Sequence, residues 1–222
     1  MMKGPFPIFC RGHSGSRLLC EAFVQNGVWM GVCTAPTWDS VGFAQRLPEV
    51  RELLELGFRY RESGLAERRI AQEKLRAPVE RVRRSCPDPR DHPAYGWKRA
   101  VTTFMMDIFF DAFPEGKVVH LIRDGRDCML SRLDVRMARL HDPLNRRVVF
   151  GAFEVNRYRG AVLNVETIER FRNEIEMLHW VTVVRFALRG REQPARPLTA
   201  SPRGPRPATA PPARRTPGPG RR

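Results

Sequence analysis

The sequence predicts an α/β domain, and three observations carry that reading. Two short apolar runs, residues 7–10 and 117–122, each pass through a polar turn into a helical pattern. Between them, apolar side chains recur at the spacing of helices that pack on a sheet. The 42% hydrophobic fraction over 222 residues is enough for one ordinary core. Residues 1–189 are therefore expected to form the domain and residues 190–222 a tail.

Taken in order, residues 7–10 read as a strand that feeds the turn Arg11-Gly12-His13-Ser14-Gly15-Ser16-Arg17. A helix is expected over 14–26, with Leu18, Leu19, Ala22 and Phe23 on its buried face and Gly27 at its end. Residues 43–84, rich in Arg, Glu and Leu, predict one or two surface helices broken near Gly57 and Pro78. The prolines between 86 and 93 make a loop. Tyr95-Gly96-Trp97-Lys98 reads as a short central strand, and a helix at 100–112 follows with Phe104, Met105, Ile108 and Phe109 at core spacing. Residues 117–122 form the second firm strand. The helix after it is expected to run to Leu140, with Asp124 as its N-cap and Asp127 matched to its dipole. Two further helices are expected at 148–163 and 166–187, and no internal repeat is present.

The formal charge of +15 is unevenly placed. Residues 193–222 hold seven Arg and no acid, so about half of the excess belongs to the tail. The remainder suits an anionic nucleotide and an anionic acceptor. No helix-turn-helix, zinc-finger or aromatic RNA-binding pattern accompanies it, so no nucleic-acid partner is expected. The tail, with nine Pro and seven Arg in residues 194–222, cannot bury a core. It reads either as a disordered basic segment or as out-of-frame translation of a GC-rich gene. Five cysteines, Cys10, Cys20, Cys33, Cys86 and Cys128, lack metal-ligand or CxxC spacing and are expected to be reduced. With no signal peptide and no apolar run long enough to span a bilayer, the expected location is cytoplasmic.

The chemistry is concentrated at the two turns. In the first, Gly12 and Gly15 allow a phosphate to approach the backbone, Ser14 and Ser16 offer hydroxyls, and Arg17 offers a fork for anionic oxygens. An ordinary helix N-cap turn has the same appearance. The Gly-Lys-Ser/Thr ending of a Walker A loop is missing, which counts against a P-loop kinase. In the second, Arg123 stands at the strand's end and Ser131 two turns into the following helix. Jointly they can converge on one dianionic phosphate.

These two motifs together resemble the sulfotransferase family that uses 3'-phosphoadenosine 5'-phosphosulfate, over roughly residues 5–187. The Arg-x7-Ser spacing of that family is met by Arg123 and Ser131. The resemblance implies a P-loop-like three-layer domain with a central parallel sheet, incomplete at its C-terminus. Arg11, Gly12, His13, Ser14, Gly15, Ser16 and Arg17 would cradle the 5'-phosphosulfate, and Arg123 with Ser131 would hold the 3'-phosphate. His13 stands where many members have Lys or Arg, and Ser16-Arg17 replace Thr-Thr.

Residues 15–21 also resemble the Gly-Thr-Arg-x-Leu-Leu-Glu stretch of glycosaminoglycan sulfotransferases, which makes Glu21 a candidate base for the acceptor's proton. An Arg17–Glu21 ion pair is the alternative. Lys98 lies in a Gly-Trp-Lys segment similar to one that presents a lysine to the transferring group; otherwise it is a surface charge beside Trp97. A protonated His13 would share that work. The implied reaction is sulfuryl transfer to a hydroxyl or amine of a small-molecule or carbohydrate acceptor, with no metal. An inactive nucleotide-binding remnant is the rival reading.

Overall fold

The computed structural model describes residues 2–130, 142–144, 148, 170 and 172–191. The chain divides into residues 1–192 and 193–222. The second unit and its expected tail, Ser131, all but the first residue of the helix expected at 148–163 and the end of the helix expected to reach Leu140 lie outside the described residues.

The fold mixes helices with small parallel sheets. Strand β1 (Ile8–Cys10) pairs in parallel with β6 (Val119–Leu121), and β2 (Val28–Trp29) pairs in parallel with β5 (Ala94–Tyr95). Parallel bridges Lys3–Ala94 and Ile8–Lys98 join the two pairs. The Phe6 and Ile8 N–H groups donate to the Tyr95 and Trp97 carbonyls at 2.9 and 2.8 Å. Residues 3–10 therefore run between β6 and the 94–98 segment, with β2 beyond. Every residue of β1 is buried, as expected of a strand covered on both faces. The expected strand at 95–98 begins one residue earlier. Gly96 is required within it, because a Cβ there would collide with the Phe6 carbonyl.

A hairpin of β3 (Cys33–Thr34) and β4 (Asp39–Ser40) stands apart from this sheet. Thr103 finishes β1 by accepting from the Cys10 N–H at 3.1 Å and donating to the Cys10 carbonyl at 3.2 Å. Trp97 stacks on Phe43 with ring centroids 4.6 Å apart and meets Phe9 and Phe109 edge-on.

Helix α1 (Ser16–Gln25) follows the first turn, and Gly27, in the left-handed region at φ 77°, ends it. Its buried face is Ser16 and Cys20, with Leu19, Phe23 and Val24 partly packed, whereas Leu18 is 74% exposed. The expected face was thus turned by a residue. The small side chains Ser16 and Cys20, one turn apart, let the helix lie close against the sheet, which bulkier leucines would prevent.

Helix α2 (Pro48–Arg59) starts with proline in its first turn, where no N–H is needed. Helix α3 (Leu65–Arg84) carries Pro78 in its interior. The break expected near Gly57 comes just after it, where α2 ends at Arg59 and the 3₁₀ turn Tyr60–Glu62 leads to α3, but the break expected near Pro78 does not occur. Pro78 lies on the buried face with Ala71, Leu75, Val79 and Val82, so packing outweighs one lost donor. Gly57 is buried inside α2, where the 3₁₀ segment Ala100–Met105 crosses it. The helix expected at 100–112 is this 3₁₀ segment followed by α4 (Met106–Ala112). Helix α5 (Gly125–Leu130) follows β6, and α6 (Arg172–Arg191) packs against α5, α4 and the 3₁₀ segment.

A methyl group at Gly57 would meet the Phe104 carbonyl oxygen. Gly57→Ala is therefore expected to destabilise the domain by about 1–3 kcal/mol, although alanine is the better helix former by about 1 kcal/mol. Urea unfolding followed by circular dichroism measures the sign; a gain in stability would contradict the packing.

Candidate functional site

The register of β1 against β6, Cys10 opposite Leu121, makes both strands leave the sheet at the same end. The turn at 11–15 and the turn at 122–124 consequently lie side by side. The Arg123 Nη1 donates to the His13 carbonyl at 3.0 Å, and its Nε lies 3.5 Å from Asp127. The Trp180 indole N–H of α6 donates to the Arg123 carbonyl at 2.9 Å. The two turns singled out by sequence are therefore neighbours.

Its geometry suits an anion. His13 and Gly15 both adopt left-handed backbone, at φ 65° and 88°. Open space surrounds the position a Gly15 Cβ would take. Gly15 caps α1 without any side-chain bond, and the first turn of the helix holds no acid. The positive end of α1 and its first N–H groups are thus unneutralised. The Ser14 hydroxyl is buried without a hydrogen-bond partner beyond weak contact with the Cys10 thiol, which the Ser16 hydroxyl also approaches. Burial pushes the Cys10 thiol up, and these contacts only partly oppose it. A buried hydroxyl without a strong partner is an incomplete site that an oxyanion would complete.

Arg123 lies at the mouth with about two-fifths of its side chain exposed. Exposed Arg17 and half-buried Glu21 stand one turn apart on α1, yet neither makes an ion pair among the described residues. Asp124 caps α5 as expected: the Arg126 N–H donates to its carboxylate at 2.8 Å. The Arg126 guanidinium, and then that N–H, hold its carboxyl down at about 2.

Two expected cations lie elsewhere. Arg11 was expected against phosphate, but it is 3% exposed and its guanidinium forms an ion pair with buried Glu176 of α6. It also donates to the Gly12 and Cys128 carbonyls at 3.1 and 3.4 Å. Burial, foremost, lowers its hold on the proton. A carboxylate fixed inside the domain competes better for this guanidinium than a solvent-exposed phosphate could. Lys98 was expected to face the transferring group. Its Nζ instead donates to the Thr37 carbonyl at 2.7 Å and to Asp39 at 2.9 Å, and only 7% of its side chain is exposed. It anchors the β3–β4 hairpin.

Sequence reasoning missed the α6 side of the site. Glu176, His179 and Thr182 are buried in a stripe with Ile175 and Val183. A cavity of about 10 Å³ lies between His179, Val183, Arg11 and Cys10. The signal was polar residues recurring every third position beside apolar ones. Among the described residues no group of side chains is arranged to hold a metal ion, and no helix is long and apolar enough to cross a membrane.

Removing one half of the buried ion pair leaves the other half uncompensated. Glu176→Leu is expected to destabilise the domain by about 3–5 kcal/mol, and Arg11→Met with Glu176→Leu to restore most of that loss. Denaturant titration of both variants measures the difference; equal stability of single and double variants would show that the pair does not couple the turn to α6.

No protein family, curated protein or solved structure matches this chain.

Proposed function

We propose that this domain is P-loop-like and binds a 3'-phosphoadenosine nucleotide at the paired turns, with sulfuryl transfer as its reaction. One observation carries the reading: parallel pairing of β1 and β6 delivers the Arg123 guanidinium to the backbone of the turn at 11–15. Its bond to the His13 carbonyl engages one Nη1–H and its Nε faces Asp127, so the Nη2 group and the second Nη1–H remain for phosphate. The uncapped α1 terminus, the Ser14 and Ser16 hydroxyls and Arg17 supply the donors for the 5' group. Ser131 is proposed to join Arg123 at the 3'-phosphate.

In this reading the acceptor hydroxyl or amine attacks sulfur in line, its proton passes to the Glu21 carboxylate, and the nucleotide phosphate leaves. The helix terminus, Arg17 and a protonated His13 stabilise the departing charge. Lys98 takes no part while it holds Asp39. That engagement favours a second reading, nucleotide binding without turnover, because the cation expected to neutralise the bridging oxygen is committed to the hairpin.

Calorimetry with 3'-phosphoadenosine 5'-phosphate, adenosine 5'-phosphate and ATP-magnesium separates these alternatives from a kinase. The 3'-phosphorylated nucleotide is expected to bind most tightly, and Arg123→Ala to remove about ten- to hundredfold of its affinity. Equal affinity for the first two nucleotides would overturn the assignment. Glu21→Gln should lower sulfuryl transfer by about 10²- to 10⁴-fold while sparing nucleotide affinity. Tight binding with no transfer by the unaltered chain would select the second reading.

A further inference from the structure

The region where α1 meets the hairpin holds a second set of reactive groups that the nucleotide reading does not use. Cys20 of α1 and Cys33 of β3 come together in a small apolar cluster with Ile8, Met30 and Trp38. Both are free thiols, Cys20 fully buried and Cys33 partly accessible. The Cys20 thiol contacts the Trp38 carbonyl at 3.8 Å, and the Cys33 thiol donates to the Met30 carbonyl at 3.4 Å. Ser40, paired with Cys33 across the hairpin, donates to that same Met30 carbonyl at 3.0 Å. The buried Lys98 ammonium is fixed in the hairpin by the Thr37 carbonyl and Asp39.

These neighbours divide the two thiols chemically. Cys20 donates toward the Cys33 sulfur and lowers the Cys33 thiol from its ordinary value; burial and Asp39 oppose this, while the Ser40 hydroxyl and Lys98 add to it. Cys20 is pushed up, first by that same hydrogen bond and then by burial. One thiol is partly accessible and shifted toward ionisation, and the other is a buried thiol in the same cluster. An attacking thiol and a resolving thiol have these properties.

We propose that Cys20 and Cys33 form a reversible dithiol–disulfide site, closed by low-molecular-weight disulfides, that fastens α1 to the β3–β4 hairpin. The Cys33 thiolate attacks one sulfur of glutathione disulfide; a Cys33–glutathione bond forms, the reagent's S–S bond breaks, and one glutathione thiolate leaves. Cys20 then loses its proton to that thiolate or to solvent and attacks the Cys33 sulfur. The Cys20–Cys33 bond forms and the second glutathione leaves as a thiol. Two protein thiols are oxidised and one glutathione disulfide is reduced to two glutathiones, so the exchange balances. The product ties the helix that begins at the Ser14–Ser16 turn to the hairpin anchored by Lys98. This site stands whether or not the nucleotide reading does.

The test treats the full chain with glutathione disulfide and follows free thiols, intact mass and cysteine-containing peptides. Loss of two of the five thiols is expected, with a linked Cys20–Cys33 peptide that dithiothreitol releases. Cys33 should react about tenfold or more faster than Cys86. Cys20→Ser should stop at a Cys33–glutathione adduct, and Cys33→Ser should leave Cys20 reduced at the same dose. A disulfide between other cysteines, or reaction of Cys86 or Cys128 while Cys20 and Cys33 stay reduced, would overturn the proposal. The mapping on the unaltered chain decides the question even if Cys20→Ser fails to fold.

Discussion

The hydrogen-bonded position of residues 3–10, paired on both sides by parallel segments, is the constraint on which the rest depends. A parallel strand cannot be joined to its neighbour by a tight turn, so the chain must leave through helices and return. The strand's two faces must also both be covered, which is why Ile8, Phe9 and Cys10 are wholly buried. One consequence is positional. Chains that run in the same direction deliver their next residues to the same end of the sheet, and so Gly12, His13, Ser14 and Arg123 become neighbours despite more than a hundred intervening residues.

A turn placed at a sheet end is held by whatever packs around it, and here opposite sides are held by different means. On one side the Arg11–Glu176 pair and the Trp180 bond to the Arg123 carbonyl attach α6 to both turns. On the other, Lys98 with Thr37, Asp39 and Ser40 holds the hairpin beside α1. Both arrangements bury a cation, and a buried cation is tolerated only with a partner and hydrogen bonds around it. The partners also decide which cations face outward. Arg17, Arg123 and Arg126 are the arginines at the two turns that keep exposed side-chain surface, Arg126 while bonded to Asp124.

Local signals in the sequence reported what local structure decides. The β1 and β6 strands, the Asp124 cap, the Gly27 stop and the core spacing of Phe104, Met105, Ile108 and Phe109 all follow from near neighbours. Pro78 misled, and the break expected near Gly57 comes only after α2 has run past that glycine to Arg59. Gly57 and Pro78 oppose a helix in isolation, but each sits where a helix packs against another element, and tertiary packing outweighs about 1 kcal/mol for glycine and about 3 for proline. The turn of α1 by one residue has a similar origin. Leucine count pointed to one face, while the close approach allowed by Ser16 and Cys20 selected another.

Charge partners are the least legible feature, because a side chain's chemistry names what it can bind and not what it meets. Arg11 and Lys98 carry the right charge for a phosphate, yet carboxylates distant in sequence, Glu176 and Asp39, reach them first. The cysteines make the same point through proximity. An odd number with no motif spacing gives no reason to pair Cys20 with Cys33, thirteen positions apart on a helix and a hairpin. What joins them is the close seating of α1 on the sheet, which follows from the small residues at 16 and 20 and hence from the same turn that exposes Arg17. The uncapped helix terminus and the neighbouring thiols are therefore two consequences of one helix placement. A substitution that enlarges residue 16 must displace both.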